Sequence, residues 1–226
     1  MKNSQAEWQT GHRKRTRQRF LERGLPDYEL FEMLLGYAIP RIDVKPIARG
    51  LLKKYGHVHR VIAAPHAELT SFPGLGENSA VFLKGLYELV ISEHKRYLSE
   101  NPIFYDPKRL ESYCRLLLSD RKQEEFHVLY LDKNQRLILD EMHASGTVDH
   151  VAAYPREILR TALNLNAKFV VLLHNHPDGS AAPSTADINL TEQIRDKLAV
   201  DGIQVLDHLI MAGDLLCSAK NLHLMK

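Results

Sequence analysis

Cysteine is nearly absent: Cys114 and Cys217 are the two in 226 residues. They stand far apart with no C-x-x-C spacing, which excludes a disulfide framework and a zinc ribbon and leaves two packed thiols. Long apolar runs are missing as well. The longest uninterrupted aliphatic and aromatic stretch is Phe169 to Leu173, far short of the roughly 20 residues that span a bilayer, so no membrane partner is expected. The first twenty residues are polar and basic and contain no apolar signal-like segment, so the expected compartment is the cytoplasm. Neither internal repeats nor low-complexity tracts occur. What is present is an ordinary globular mixture, 44% apolar and 26% charged, with room for a substantial core.

The net charge of +2 hides an uneven distribution. Residues 1–100 carry a basic excess and residues 101–226 an acidic one. Between Gly11 and Gly24 stand Arg13, Lys14, Arg15, Arg17, Arg19 and Arg23 against Glu22 alone, a density suited to phosphate or to a solvated helix face. The clearest break in pattern is Asn101 to Pro107, where two prolines end a long helical periodicity. It divides the chain into a helical module, 1–100, and a second domain, 103–226. In the first, apolar spacing predicts helices over Tyr28–Gly36, Val44–Tyr55, His59–Ala64, a short piece near Glu68, and Ser79–Tyr97.

The second domain alternates between the two periodicities, which predicts an α/β fold with a mixed sheet. A helix opened by Pro107 runs to Leu118, and strands follow at Glu125–Asp132 and Leu137–Met142, joined by a turn. His143–Asp149 continues irregularly or as a third strand. A helix at Pro155–Asn164, a strand at Lys168–His174, a helix over Ser184–Val200, and strands at Gln204–Met211 and Leu215–Ser218 complete it.

The chemistry concentrates in His174-Asn175-His176-Pro177-Asp178-Gly179 and in Ser184 and Asp187. In extended chain, side chains at i and i+2 lie on one side, so His174 and His176 can converge on one ion. Ser184-x-x-Asp187 is a capping box at the start of the next helix, which brings the Asp187 carboxylate to the same place. Two imidazoles and one carboxylate make a three-ligand set with an open fourth position, as expected of catalytic zinc. Such an ion brings its water to a pKa near 7. Asp207 and His208 form another polar pair in an apolar strand: one of them fixes a ligand tautomer, or both are a buried satisfied pair. His127, His143 and His150 read as packing or surface residues, and Glu157 as a favourable charge near a helix N-terminus.

The spacing His-x-His-x7-Ser-x-x-Asp resembles the JAMM motif of MPN-domain zinc hydrolases, and His-Asn-His-Pro-x-Gly resembles its bacterial branch, the RadC family. Further matches are Glu124-x-Phe126, Gly146-Thr147, Tyr154-Pro155-Arg156-Glu157 and Leu206-Asp207-His208-Leu209. The resemblance implies a cytidine-deaminase-like α/β domain holding one zinc on His174, His176 and Asp187. It further implies Glu124 as general acid/base and Ser184 as oxyanion stabiliser, with an amide in an unidentified protein or peptide as substrate. Glu125 is the rival of Glu124, separated from it by the Glu-x-Phe register. Asn175 stands where eukaryotic JAMM proteases have Ser or Thr.

In the helical module, Phe72-Pro73-Gly74-Leu75-Gly76 with Ala80, Leu83 and Leu86 looks like the turn of a helix-hairpin-helix module. Its glycines would let backbone N–H groups approach a phosphate. DNA is therefore a candidate partner through residues 11–24 and 72–84, although Glu77 departs from that pattern and a turn that packs on protein is the other reading. Two rival functions remain: a metal-dependent nuclease, and a non-catalytic DNA-binding or scaffold protein. Oligomeric state is left open.

Overall fold

The computed structural model describes residues 2–119, 121–146, 154–180 and 182–223, and side chains from residue 11 onward. Thr147, His150 and the end of the 143–149 segment lie outside the described residues. The chain packs as two units, Met1–Leu89 and Val90–Lys226. The division falls inside a long helix, upstream of the proline-marked segment. Pro102 and Pro107 do follow its end, but its last turns already pack with the second unit: Ile91 and Leu98 are buried, His94 meets the Tyr113 ring, and Tyr97 lies under Arg109. Among the described residues no helix is long and apolar enough to cross a membrane.

The first unit is helical: α1 (Lys2–Arg23), α2 (Asp27–Ala38), α3 (Lys45–Tyr55), α4 (Val58–Ala63), α5 (His66–Thr70) and the first half of α6 (Glu77–Glu100). Phe31 and Leu35 of α2, Ile47, Ala48 and Leu51 of α3, Val61 of α4 and Leu83 of α6 form its interior. The basic segment is the end of α1, and part of it is committed to the fold. The Arg13 guanidinium donates to the carbonyls of Gly36, Ile39 and Ile42 around the end of α2. Arg19 pairs with Glu29. Lys14, Arg15, Arg17 and Arg23 stay exposed.

The glycine turn packs on α3. Gly74 has φ +87°, and a Cβ there would stand 2.8 Å from Ile47 Cδ1, so glycine is required by conformation and by contact alike. Ser79 closes the turn onto Gly76 through its hydroxyl. Lys84 donates to the carbonyls of Ile62, Ala63 and Ala64 at 3.2–3.3 Å, satisfying the end of α4.

The second unit continues with α7 (Pro107–Leu118), β1 (Glu124–Leu131), β2 (Leu137–Gly146), α8 (Pro155–Asn164), β3 (Phe169–Asn175), α9 (Thr185–Ala199), β4 (Gln204–Ala212) and β5 (Leu215–Ser218). Asp106 caps α7 by accepting from the Lys108 and Arg109 amides, with Pro107 in the first turn. The five strands lie in the order β2-β1-β3-β4-β5. β3 and β4 are parallel, joined through α9, and the other pairs are antiparallel.

One face of the sheet buries Phe126, Val128, Tyr130, Val170 and Leu172 against Ile158 and Ala162 of α8 and Ile194 and Leu198 of α9. The other face takes α7, with Leu110, Tyr113, Cys114 and Leu117 buried. β2 is a single strand through Gly146, where the sequence pattern broke at His143. The cause is a register shift: Phe126 pairs with Ala144 but His127 with Met142, so His143 is an extra residue that inverts the alternation.

On the α7 face, the Asp140 carboxylate, whose side chain is 2% exposed, accepts from Tyr113 and lies 2.8 Å from His127 Nδ1 and 3.3 Å from Lys95 Nζ. Burial works against its charge, but His127, Tyr113 and Lys95 outweigh it and hold the carboxyl below its ordinary value. Burial likewise opposes His127 as a cation, yet Asp140 and Glu125 raise it. A lowered carboxyl contributes stability above its ordinary pKa and loses it as pH falls through the depressed value. A raised imidazole contributes below its ordinary pKa and loses it as pH rises through the raised value. Unfolding free energy is therefore expected to be greatest between about pH 4 and about pH 6.5, falling on both sides. Asp140→Asn should flatten both flanks and cost about 3 kcal/mol, read by urea denaturation across pH. An unchanged profile in that variant would show that the network carries no such linkage.

Candidate metal centre

β3 ends where α9 begins, and the side chains the spacing singles out meet there. One ligand atom from each of His174, His176 and Asp187 lies within 4.8 Å of the others. The His174 and His176 Nε2 atoms are 2.8 Å apart. Asp187 Oδ1 stands 3.2 Å from His174 Nε2, and Oδ2 3.3 Å from His176 Nε2. His174 is fully buried, Asp187 is 9% exposed, and His176 forms the more open edge.

Local structure sets each position. Beyond Asn175 the chain stays in register with β4 for one more bond, from His176 N to Met211 O at 2.8 Å, and then turns through Gly179 at φ +86°. Ser184 caps α9: its hydroxyl accepts from the Asp187 amide at 3.1 Å and donates to Asp187 Oδ2 at 2.7 Å, while its own amide donates to the same oxygen at 2.7 Å. Burial disfavours the Asp187 charge, but His174, His176 and Ser184 more than compensate and hold the carboxyl far below its ordinary range. The same carboxylate raises His176 above the ordinary imidazole value, with burial opposing it and the Ser180 carbonyl assisting.

The donor set fits a cation on chemical grounds. His176 Nδ1 sits 2.6 Å from the carbonyl oxygen of Ser180, which can only accept, so Nδ1 carries a hydrogen and in the neutral ring Nε2 presents its lone pair to the site. His174 Nδ1 lies 2.7 Å from His208 Nε2 on its far side, leaving its own Nε2 turned inward. Two ring nitrogens and a carboxylate thus converge on one point, an arrangement that calls for positive charge at its centre. Three protein donors are one short of the four that close a structural zinc site.

Glu124 is the first residue of β1 and is half-buried. Burial raises its carboxyl above the ordinary value, His174 and His176 partly offset this, and Asp187 and Asp178 add to it. Its electrostatic neighbours are therefore the cluster itself. Glu125, on the opposite face of the pleat, lies 3.6 Å from both Arg121 and His127. Asn175 holds the start of this strand: its Oδ1 accepts from the Glu125 amide at 2.8 Å, and its Nδ2 donates to the Gln123 carbonyl at 3.0 Å. It extends the β1–β3 ladder by side chain where the backbone ladder ends.

The polar pair on β4 divides. Asp207 accepts from the His208 and Lys220 amides and from the Ser218 hydroxyl, tying β4 to β5. His208 turns to the cluster, 1% exposed, and burial reinforced by His174 holds it well below the ordinary imidazole value. Its other nitrogen meets Thr191, a residue that no motif signalled. The remaining histidines lie elsewhere: His127 with Asp140 and His143 with Tyr130. Glu157 pairs with Arg160 in the first turn of α8.

The family described as RadC-like JAB domain matches residues 104–224. A UPF0758 protein of Ruegeria pomeroyi is 43% identical over 203 residues, covering 88% of this chain and 91% of the relative. A UPF0758 protein of Rhodobacter capsulatus is 43% identical over 198 residues, covering 86% and 92%. With a family match over residues 104–224, more than half of the chain, and relatives 43% identical across 86–88% of it, the chain belongs to the RadC family.

Proposed function

We propose that the protein is a metal-dependent hydrolase of metallopeptidase type, with zinc on His174, His176 and Asp187 and an amide carbonyl as the group attacked. The observation that carries this reading is the convergence of two imidazole nitrogens and a carboxylate beside a half-buried glutamate of raised pKa. When bound, such an ion supplies a Lewis acid for the carbonyl and a water that loses a proton near neutral pH.

The chain's own residues handle the protons. Glu124 accepts the proton of the attacking water and delivers it to the departing amine as the C–N bond breaks. A carboxyl raised by burial is suited to both halves of that exchange. Ser184 stands at the rim, and its hydroxyl, which donates to Asp187 in the free site, is the donor for the developing oxyanion. Asn175 keeps the Gln123–Glu125 backbone, and so Glu124, in place.

A phosphodiester substrate is less favoured. Two-metal chemistry serves most nucleases, and among the described residues a single cluster of this kind occurs. Nucleic acid, as a partner rather than a substrate, belongs to the exposed Lys14, Arg15, Arg17 and Arg23 rather than to the 72–84 turn, whose Lys84 points to the end of α4.

Three outcomes follow. Elemental analysis should find one equivalent of zinc in wild type and in Glu124→Gln, and none in His176→Ala; no stoichiometric metal in wild type would end the hydrolase reading. Against a peptide and isopeptide library, Glu124→Gln should lower turnover by about 10²–10⁴-fold while keeping its metal. Equal turnover would remove Glu124 from the chemistry. In DNA titrations, reversing Lys14, Arg15 and Arg17 to Glu should weaken affinity and flatten its salt dependence. Lys84→Ala should leave both as in wild type.

A further inference from the structure

We infer that Thr191 and His208 are positioning residues, forming a hydrogen-bond relay that fixes the ring hydrogen of His174 on Nδ1 and so keeps its Nε2 lone pair aimed at the metal position. The inference rests on the metal reading above and extends it to two residues outside the His-x-His-x7-Ser-x-x-Asp motif.

The relay runs in one direction because its far end cannot donate. Thr191 Oγ1 lies 2.6 Å from the carbonyl oxygen of Asp187, one turn earlier on α9. A carbonyl only accepts, so the single hydroxyl hydrogen of Thr191 is committed there. The same Oγ1 is 2.6 Å from His208 Nδ1. With its hydrogen already given away, Oγ1 can only accept, and the hydrogen of this contact belongs to His208 Nδ1. His208 is 1% exposed and its ring meets His174, Thr191 and Phe126, so a cation there would be buried with no carboxylate in contact with it. As a neutral ring with its hydrogen on Nδ1, it has a bare Nε2. That nitrogen is 2.7 Å from His174 Nδ1, which therefore donates. One backbone carbonyl thus determines, through two side chains, which nitrogen of His174 faces Asp187 and His176.

The relay also fixes ring orientation. Phe126 lies against both rings, 6.1 Å from the His174 centroid and nearly parallel, and 5.9 Å from that of His208 edge-on. Thr191 and Asp187 share α9, so the relay ties ligands from the strand and the helix to one another through a path separate from the Ser184 capping box.

Isosteric loss of the Thr191 hydroxyl has a defined consequence. In Thr191→Val the His208 Nδ1 hydrogen would be buried without an acceptor. The ring therefore carries its hydrogen on Nε2 instead, donates to His174 Nδ1, and drives the His174 hydrogen onto Nε2, into the metal position. Thr191→Ser keeps the acceptor.

The experiment is long-range ¹⁵N–¹H NMR of the histidine rings in metal-free full-length protein, about two pH units above the ordinary imidazole value, combined with Zn²⁺ titration of the same samples. Expected are Nδ1–H on both His174 and His208 in wild type, and Nε2–H on both in Thr191→Val. Zn²⁺ affinity in that variant should fall about 10–100-fold, and Thr191→Ser should restore both readouts. A wild type that binds Zn²⁺ but carries the His174 hydrogen on Nε2 when metal-free overturns the relay alone, as does a Thr191→Val protein with wild-type tautomers and affinity. A wild type with the stated tautomers that takes up no Zn²⁺ overturns the metal reading, and with it the purpose assigned to these residues.

Discussion

Two imidazole nitrogens 2.8 Å apart, each with its ring hydrogen held on the far side, face a carboxylate across a gap of just over 3 Å. In neutral rings the lone pairs so placed repel one another and the carboxylate, and a cation at the centre would relieve them. Only a structure that over-determines each ring can hold them together. That constraint accounts for features that otherwise look unrelated: the Ser180 carbonyl behind His176, the His208 ring behind His174, and three hydrogen bonds between Ser184 and Asp187. The Ser180 carbonyl and the His208 ring lie on the sides of their histidines away from the centre, and Ser184 holds Asp187 Oδ2, the oxygen that faces His176.

The sheet supplies the rigidity this requires. β1, β3 and β4 are covered on both faces, and Phe126, Leu172 and Ile194 close the interior immediately beneath the cluster. Parallel pairing of β3 with β4 continues to the His176 amide, so the first ligand is on the strand proper and the second one ladder bond beyond it. A parallel pair needs a crossover, and the crossover helix is α9, whose first turn brings Asp187 back to the carboxyl end of β3. Topology thus places the third ligand, and the capping box sets its rotamer.

The cluster was legible in the sequence because its signals are local. Two histidines at strand spacing and a capped helix start are short-range patterns, and all three ligand positions follow from them. The helix begun by Pro107 and the buried run after Phe169 were legible for the same reason. What escaped depends on partners far along the chain. Thr191 reads as an ordinary helix residue until β4 brings His208 beside it. Arg13 reads as a phosphate ligand until the end of α2 offers three carbonyls. Lys84 is likewise drawn inward by α4. β2 lost its strand signature at His143 because one inserted residue reverses the alternation that period-two reasoning depends on. Charge counts and periodicity describe a chain before its carbonyls have been assigned partners, and here helix ends claim several of the cations.

Adjacent glutamates show how far environment outweighs residue type. Glu124 and Glu125 have the same side chain one peptide apart, and the pleat sends them to opposite faces of β1. Glu125 meets Arg121 and His127, basic partners beside the Asp140 network. Glu124 meets the interior and the carboxylates of Asp187 and Asp178, with the two histidines as partial compensation, and is raised. Asn175 determines which residue goes where. By bonding the Glu125 amide and the Gln123 carbonyl it fixes the backbone on both sides of Glu124, and a slip of one residue would exchange the two glutamates. The amide side chain between the histidines therefore acts on the strand opposite, and through it on Glu124, whose carboxyl is raised by burial.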